Sequence, residues 1–303
     1  MKKTSYLRWA WAVVLAAILR SLDGTFLRPQ LYSLPAELVV FLEHLLWTIV
    51  FAYFLWQGRK QIRKLPWKTW WALFWVALFG GVLGTLFITK AFFMAFDGGV
   101  TFATVIILQK LQPLFALIVA AVLLKEKLHK SFYLRAVVAI WAAYLLAFGT
   151  SAMTIADVNW RSQWAILALI AAFAFGSSTV FGKYVVDHLD VKRSTGMRFL
   201  LTTILIGIYI LISGWVGWLE QVTNVQRWYL IVIVCSSGAV ALFLYYWWLQ
   251  KIKASQATIL ELAWPLSAII LDRAINWNML TTTQFIAAAV MVVAMIQVGK
   301  MRN

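Results

Sequence analysis

The chain has 303 residues, 63% of them hydrophobic, 16% aromatic and only 13% charged, with 27 basic against 11 acidic side chains and a net charge of +16. Such an apolar excess lies far outside a water-soluble domain and implies a membrane protein. One cysteine, Cys235, and three scattered histidines, His44, His129 and His188, exclude a disulfide framework and show no metal-site spacing, so no metal and no cofactor is expected.

Apolar windows of about 20 residues, the length a helix needs to cross a hydrocarbon core of about 30 Å, recur from end to end. They fall near Leu7–Leu27, Ala36–Leu55, Thr69–Phe93, Val100–Leu124, Phe132–Phe148, Trp164–Val186, Met197–Trp218, Trp228–Leu249, Ala254–Leu271 and Thr282–Val298. Ten transmembrane helices are therefore predicted, joined by connections too short to hold a soluble domain. The first window carries Arg20 and Asp23 and is too long for a cleaved signal peptide.

Basic residues in the connections test that number. With ten spans, 18 lysines and arginines fall on one side, in clusters such as Arg59, Lys60, Arg63 and Lys64, against Arg28, Arg161 and Arg227 on the other. The bias places both termini in the cytoplasm. It also reads the positive charge as insertion topology, with no nucleic-acid partner.

The chain repeats itself weakly. A shift of 152 positions superposes Ile107 on Ile259, Leu108 on Leu260, Pro113 on Pro265 and Leu114 on Leu266. The two prolines then occupy the fourth and the ninth span, equivalent places in two five-helix halves, residues 1–150 and 160–303. An odd number of spans per half forces opposite orientations, the inverted-repeat architecture of carriers that work by alternating access.

Two stretches carry a resemblance: "FATVIILQKLQPLFALIVAAVLLKEKL", with Pro113 and Glu126, and "SQATILELAWPLSAIILDRAINWNML", with Pro265. Their small residues, proline-bearing helix and acidic boundary resemble the EamA-type members of the drug/metabolite transporter superfamily, ten-helix carriers made of two inverted repeats. The resemblance implies an aperture lined by the third, fourth, eighth and ninth helices, with the first and sixth contributing. Two departures stand out. Asn278 takes the place equivalent to Glu126, and Glu43 with His44 stands where the second helix often has the arginine matched by Arg198.

Charged groups within the spans are the candidate solute contacts, since each costs roughly 2.5 to 3.5 kcal/mol at the centre of a membrane helix. Lys110 lies nearest mid-span and is expected to face the bundle interior. Glu261 is the deepest acid, one turn before Pro265, and aligns in the repeat with Gln109 beside Lys110. The pair reads either as mutual counter-ions released by solute, with Glu261 also able to carry a coupling proton, or as a static ion pair. Lys90 reads equally as a pathway group or an interfacial one, whereas Lys183 and Arg198 are expected to reach the headgroups on their long stems. Arg20 and Asp23, spaced i, i+3, are expected to pair and to line an outer vestibule with Glu43 and His44. Asp272 and Arg273 read as interfacial.

Pro113 and Pro265 each remove a backbone donor mid-span and mark kinks that either line a cavity or shape packing. Gly80, Gly81, Gly84, Gly176 and Gly182 form small faces for close helix approach. The tryptophans of "WKTWWALFW" and "RWYL" read as interfacial belts. Tyr245 and Trp248 share a face of the eighth span and are expected to wall the pathway.

The function expected is secondary transport, in the exporting direction by resemblance, of a small organic metabolite such as an amino acid or another carboxylate-bearing or aromatic solute. Cationic amines or drugs form the second solute class, because Glu261, Glu43 and Asp23 offer counter-charges. The expected partners are the solute and the lipid of a bacterial inner membrane, with protons as a coupling ion and a homodimer both compatible with the sequence. A channel is the non-carrier reading, and a membrane enzyme would require a nucleophile elbow or a phosphate loop, neither of which the sequence contains.

Overall fold

A computed structural model describes residues 15–16, 18–94, 105, 108–109, 111–125, 129–148, 163–264, 266–267, 271 and 281–299. Every regular element among them is helical, and each of the ten apolar windows contains a described helical segment. The main ones are α1 (Ala36–Arg63), α2 (Trp67–Met94), α3 (Gln112–Leu123), α4 (Lys130–Phe148), α5 (Gln163–His188), α6 (Val191–Ile212), α7 (Asn224–Leu249), α8 (Ala254–Leu260) and α9 (Thr282–Gly299). Five of these, α1, α2, α5, α6 and α7, are long and apolar enough to cross a membrane.

Local chemistry explains several boundaries. Pro35 and Pro66 stand immediately before α1 and α2, where a missing N–H costs nothing. α6 begins at Val191, ahead of the expected Met197, because the Asp190 carboxylate accepts the Arg193 backbone N–H at 3.2 Å. It stops at Ile212, short of Trp218, and the chain turns through left-handed Gly214 into a 3-10 segment, Trp215–Gln221. Thr223 and Gln226 form a capping box at the start of α7.

The largest change from the sequence reading concerns Pro113. It does not kink a continuous fourth span: helix α3 begins at Gln112, with Pro113 in its first turn, after a turn at Leu111. There the ring displaces no intrahelical bond, so a break before the proline is the cheaper solution. Pro265 and Lys110 lie outside the described residues, as do Glu126, Asp272, Arg273 and Asn278.

α1 packs along α6, α4 along α9, and α3 against α8. The α4–α9 contact is built from small residues, Ala136, Ala139 and Ala143 facing Ala287 and Ala294, with Met291 filling the seam. α5 lies against both α2 and α3. Large apolar side chains such as Ile49, Val122, Trp141 and Ile212 point outward, as a lipid-facing surface requires. Trp67, Trp71 and Trp228 are also exposed, in keeping with interfacial belts.

Two helices widen where they pass the centre. α2 is π-helical over Val76–Leu83 and α7 over Val234–Gly238. Such segments misalign the backbone ladder and leave carbonyls for other donors. At Gly80 the carbonyl accepts from Arg198 Nη2 at 2.9 Å and from Thr85 Oγ1 at 3.2 Å. A Cβ at Gly80 would strike Ser178 Oγ of α5, and one at Gly238 would strike the Trp47 indole of α1.

Candidate functional site

A cavity of about 150 Å³ lies where these helices converge. It is walled by the segment around Arg20 to Arg28 and by α1, α2, α5, α6 and α7, and it also takes in Gln109, Gln112, Glu261 and Trp264. No described residue of α4 or α9 lines it, and these two helices pack along each other. Six aromatic side chains, Trp47, Phe92, Phe175, Phe199, Tyr245 and Trp264, line it together with three arginines, Arg20, Arg28 and Arg198, and three acids, Asp23, Glu43 and Glu261.

The charges form separate groups. Arg28 Nη2 lies 2.9 Å from Asp23 and 3.0 Å from Glu43, and its Nη1 reaches Thr89 Oγ1 at 3.5 Å. This cluster corrects two expectations: Asp23 pairs with Arg28 and not with Arg20, and Arg28 is buried, 8% exposed, and not a loop cation. The reason is the short π and 3-10 run from Asp23 to Leu31, which folds Arg28 back over Asp23. Arg20 and His44 also line the cavity, His44 with its Nδ1 2.8 Å from the Val40 carbonyl.

Arg198 is the second correction. It does not reach the headgroups but is 9% exposed, donating to the Gly80 carbonyl at 2.9 Å and to the Tyr246 hydroxyl at 3.2 Å. The widened α2 offers a carbonyl and the phenol a second acceptor, which together outcompete the interface. Lys183 bonds Asp187 at 2.8 Å and the Gln250 carbonyl at 3.2 Å near the helix end.

Glu261 sits in an amide network. Its Oε2 accepts from Gln112 Nε2 at 2.7 Å, and Gln112 Oε1 accepts from Gln109 Nε2 at 3.1 Å. Tyr245 stands beside Glu261, its hydroxyl 3.1 Å from Thr179 Oγ1. Of the residues chosen from sequence, Arg20, Glu43, His44, Gln109, Tyr245 and Glu261 share this cavity. Lys90 and Trp248 do not. Lys90 Nζ pairs with Glu37 at 2.5 Å outside it, and Trp248, 1% exposed, packs in the largest apolar cluster with Phe132 and Leu249. Tyr245 and Trp248 are close along one helix, but the small angular offset between them turns the indole away from the lumen.

Sequence reasoning missed Arg28, Trp47, Thr89, Gln112 and Gly238. Gln112 carried a usable signal, being an amide only three residues after Gln109, a spacing that lets two side chains meet across one turn. Several buried polar atoms in the wall have no hydrogen-bond partner among the described residues: Asp23 Oδ1, Trp47 Nε1, Gln109 Oε1 and Arg198 Nε. Buried polar groups are nearly always bonded, so each of these atoms retains capacity for a further partner.

Comparison with known proteins places this architecture. The chain is 36% identical over 302 residues, 98% of its length and 99% of the other, to a protein of Fusobacterium nucleatum subsp. nucleatum named riboflavin transporter ImpX. A solved chain described as "Crystal structure of protein" shares the fold at a TM-score of 0.71 and 14% identity, covering 99% of this chain and 97% of that one. The sequence model of the EamA-like transporter family matches twice, over residues 7–148 and 162–299, one match to each side of the connection that follows α4. The chain belongs to the EamA-like transporter family.

Proposed function

We propose that the protein is a secondary carrier of riboflavin or a close heterocyclic relative, moving it by alternating access between two five-helix inverted halves, residues 1–150 and 160–303. The observation that carries this reading is the cavity itself: aromatic walls balanced by three cations and three carboxylates among its described residues. Such a site suits a flat, uncharged solute with several polar edges better than a simple carboxylate or an amine. The similarity to a protein named as a riboflavin transporter over nearly the whole chain supports the same solute class. Arg20, Glu43, His44, Gln109, Tyr245 and Glu261 are its proposed contacts, with Lys110 retained for its mid-span position beside Gln109 in sequence. The carboxyl groups of Glu43 and Glu261 are the ones through which a proton gradient would act.

The test is counterflow in proteoliposomes. Saturable exchange of internal riboflavin for external labelled riboflavin supports a carrier, linear flux a channel, and recovery of an altered flavin an enzyme. Loading either face in turn measures whether net movement is outward, as the family resemblance suggests. No riboflavin counterflow at any concentration would overturn the solute assignment.

A further inference from the structure

The network from Glu261 to Gln109 has a direction, and that direction predicts what it recognises. A carboxamide by itself can face either way round, its oxygen and nitrogen being set by their partners. The Glu261 carboxylate only accepts, so the NH₂ of Gln112 must turn towards it, as the 2.7 Å contact shows. Gln112 Oε1 then faces away and accepts from Gln109 Nε2 at 3.1 Å. Gln109 is thereby held with Oε1 unpartnered among the described residues, on a residue only 8% exposed in the cavity wall. Its Nε2 keeps a second N–H. An acceptor and a donor are therefore presented side by side in fixed order.

The edge that complements this pair is an N–H adjacent to a carbonyl. Leu108, the neighbour of Gln109, packs in one cluster with Phe92 and Trp264, and both rings also line the cavity. We propose that Gln109 reads the cyclic amide or imide edge of a planar heterocycle lying between these rings, with Gln112 and Glu261 as positioning residues that set its polarity. This rests on the riboflavin reading, since the isoalloxazine ring carries one N–H, at N3, between two carbonyls. It adds which edge of the ring is read and which side chain meets it.

The experiment compares riboflavin with N3-methylriboflavin on the purified full-length protein, following quenching of flavin fluorescence. The parent is expected to prefer riboflavin by about tenfold or more, the worth of a buried hydrogen bond together with an unsatisfied partner. Gln109→Leu should bind both flavins alike. Glu261→Gln, whose new amide can face Gln112 either way round, should keep the parent's melting temperature yet lose most of the preference, which loss of packing alone would not produce. If the parent binds both flavins equally, the edge assignment is overturned while the riboflavin reading stands. If it binds neither flavin, the riboflavin reading fails, and the same comparison is made with uracil and succinimide against their N-methyl forms. A preference for N–H there upholds the amide reader, and no preference in either pair overturns it.

Discussion

The Arg28 guanidinium lies 3.0 Å from a Glu43 carboxylate that solvent does not reach, and the same nitrogen lies 2.9 Å from Asp23. Two carboxylates thus depend on one cation. Removing the cation leaves two neighbouring like charges, one of them fully buried, whereas neutralising one acid leaves a matched pair. Arg28→Met is expected to destabilise the protein by about 3 to 5 kcal/mol, with Glu43→Gln costing much less. Thermal melts in detergent measure both, and equal shifts would show that Arg28 does not hold the two acids together.

Gly238 and Trp47 make a second dependent pair, because any side chain at Gly238 would run into the indole. Overpacking of this kind costs about 1 to 3 kcal/mol. Gly238→Ala should therefore lower stability and, as both residues line the cavity, weaken solute binding. Adding Trp47→Leu should recover much of the stability, so the double variant is strongly non-additive. Simple addition of the two losses would mean that the backbone moves apart instead.

Arg198 spans two acceptors on different helices, the Gly80 carbonyl and the Tyr246 hydroxyl. A lysine has a single point of charge and cannot bridge both in the same geometry. Arg198→Lys is expected to cost about 1 to 3 kcal/mol, and Tyr246→Phe about 1 kcal/mol, since the latter leaves the bond to Gly80 intact. Melting temperatures of the two variants should fall in that order. A silent Arg198→Lys would reduce the guanidinium to a general cation.

Orientation in the membrane is testable with single cysteines in a Cys235→Ser background. Gly58 is unsuitable for one, because a Cβ there meets the Arg193 side chain. Gln57 and Gln221 are exposed, at opposite ends of the predicted topology. An impermeant thiol reagent on intact cells should label Gln221→Cys and spare Gln57→Cys, given the crowding of lysine and arginine beside Gln57. The reverse pattern would invert the protein.

Sequence alone determined that this chain belongs in a bilayer, where its apolar windows lie, and that its second half echoes its first around Pro113 and Pro265. These are properties of position along the chain, and a helix rising about 1.5 Å per residue turns sequence position directly into depth. That is why Glu261 and Gln109 could be set at one level before any contact was known. Only tertiary structure decided what each side chain faces. Helices apolar on every side carry no stripe to say which way they turn, so Tyr245 and Trp248 could not be separated into lumen and core. Arginine stems are long enough to reach either the headgroups or the bundle centre, and what draws Arg198 inward is a carbonyl freed by a widened turn of α2, more than a hundred residues away in sequence. The break before Pro113 and the folding of Arg28 over Asp23 are likewise choices among local geometries of similar cost, settled by the partners that packing brings to them.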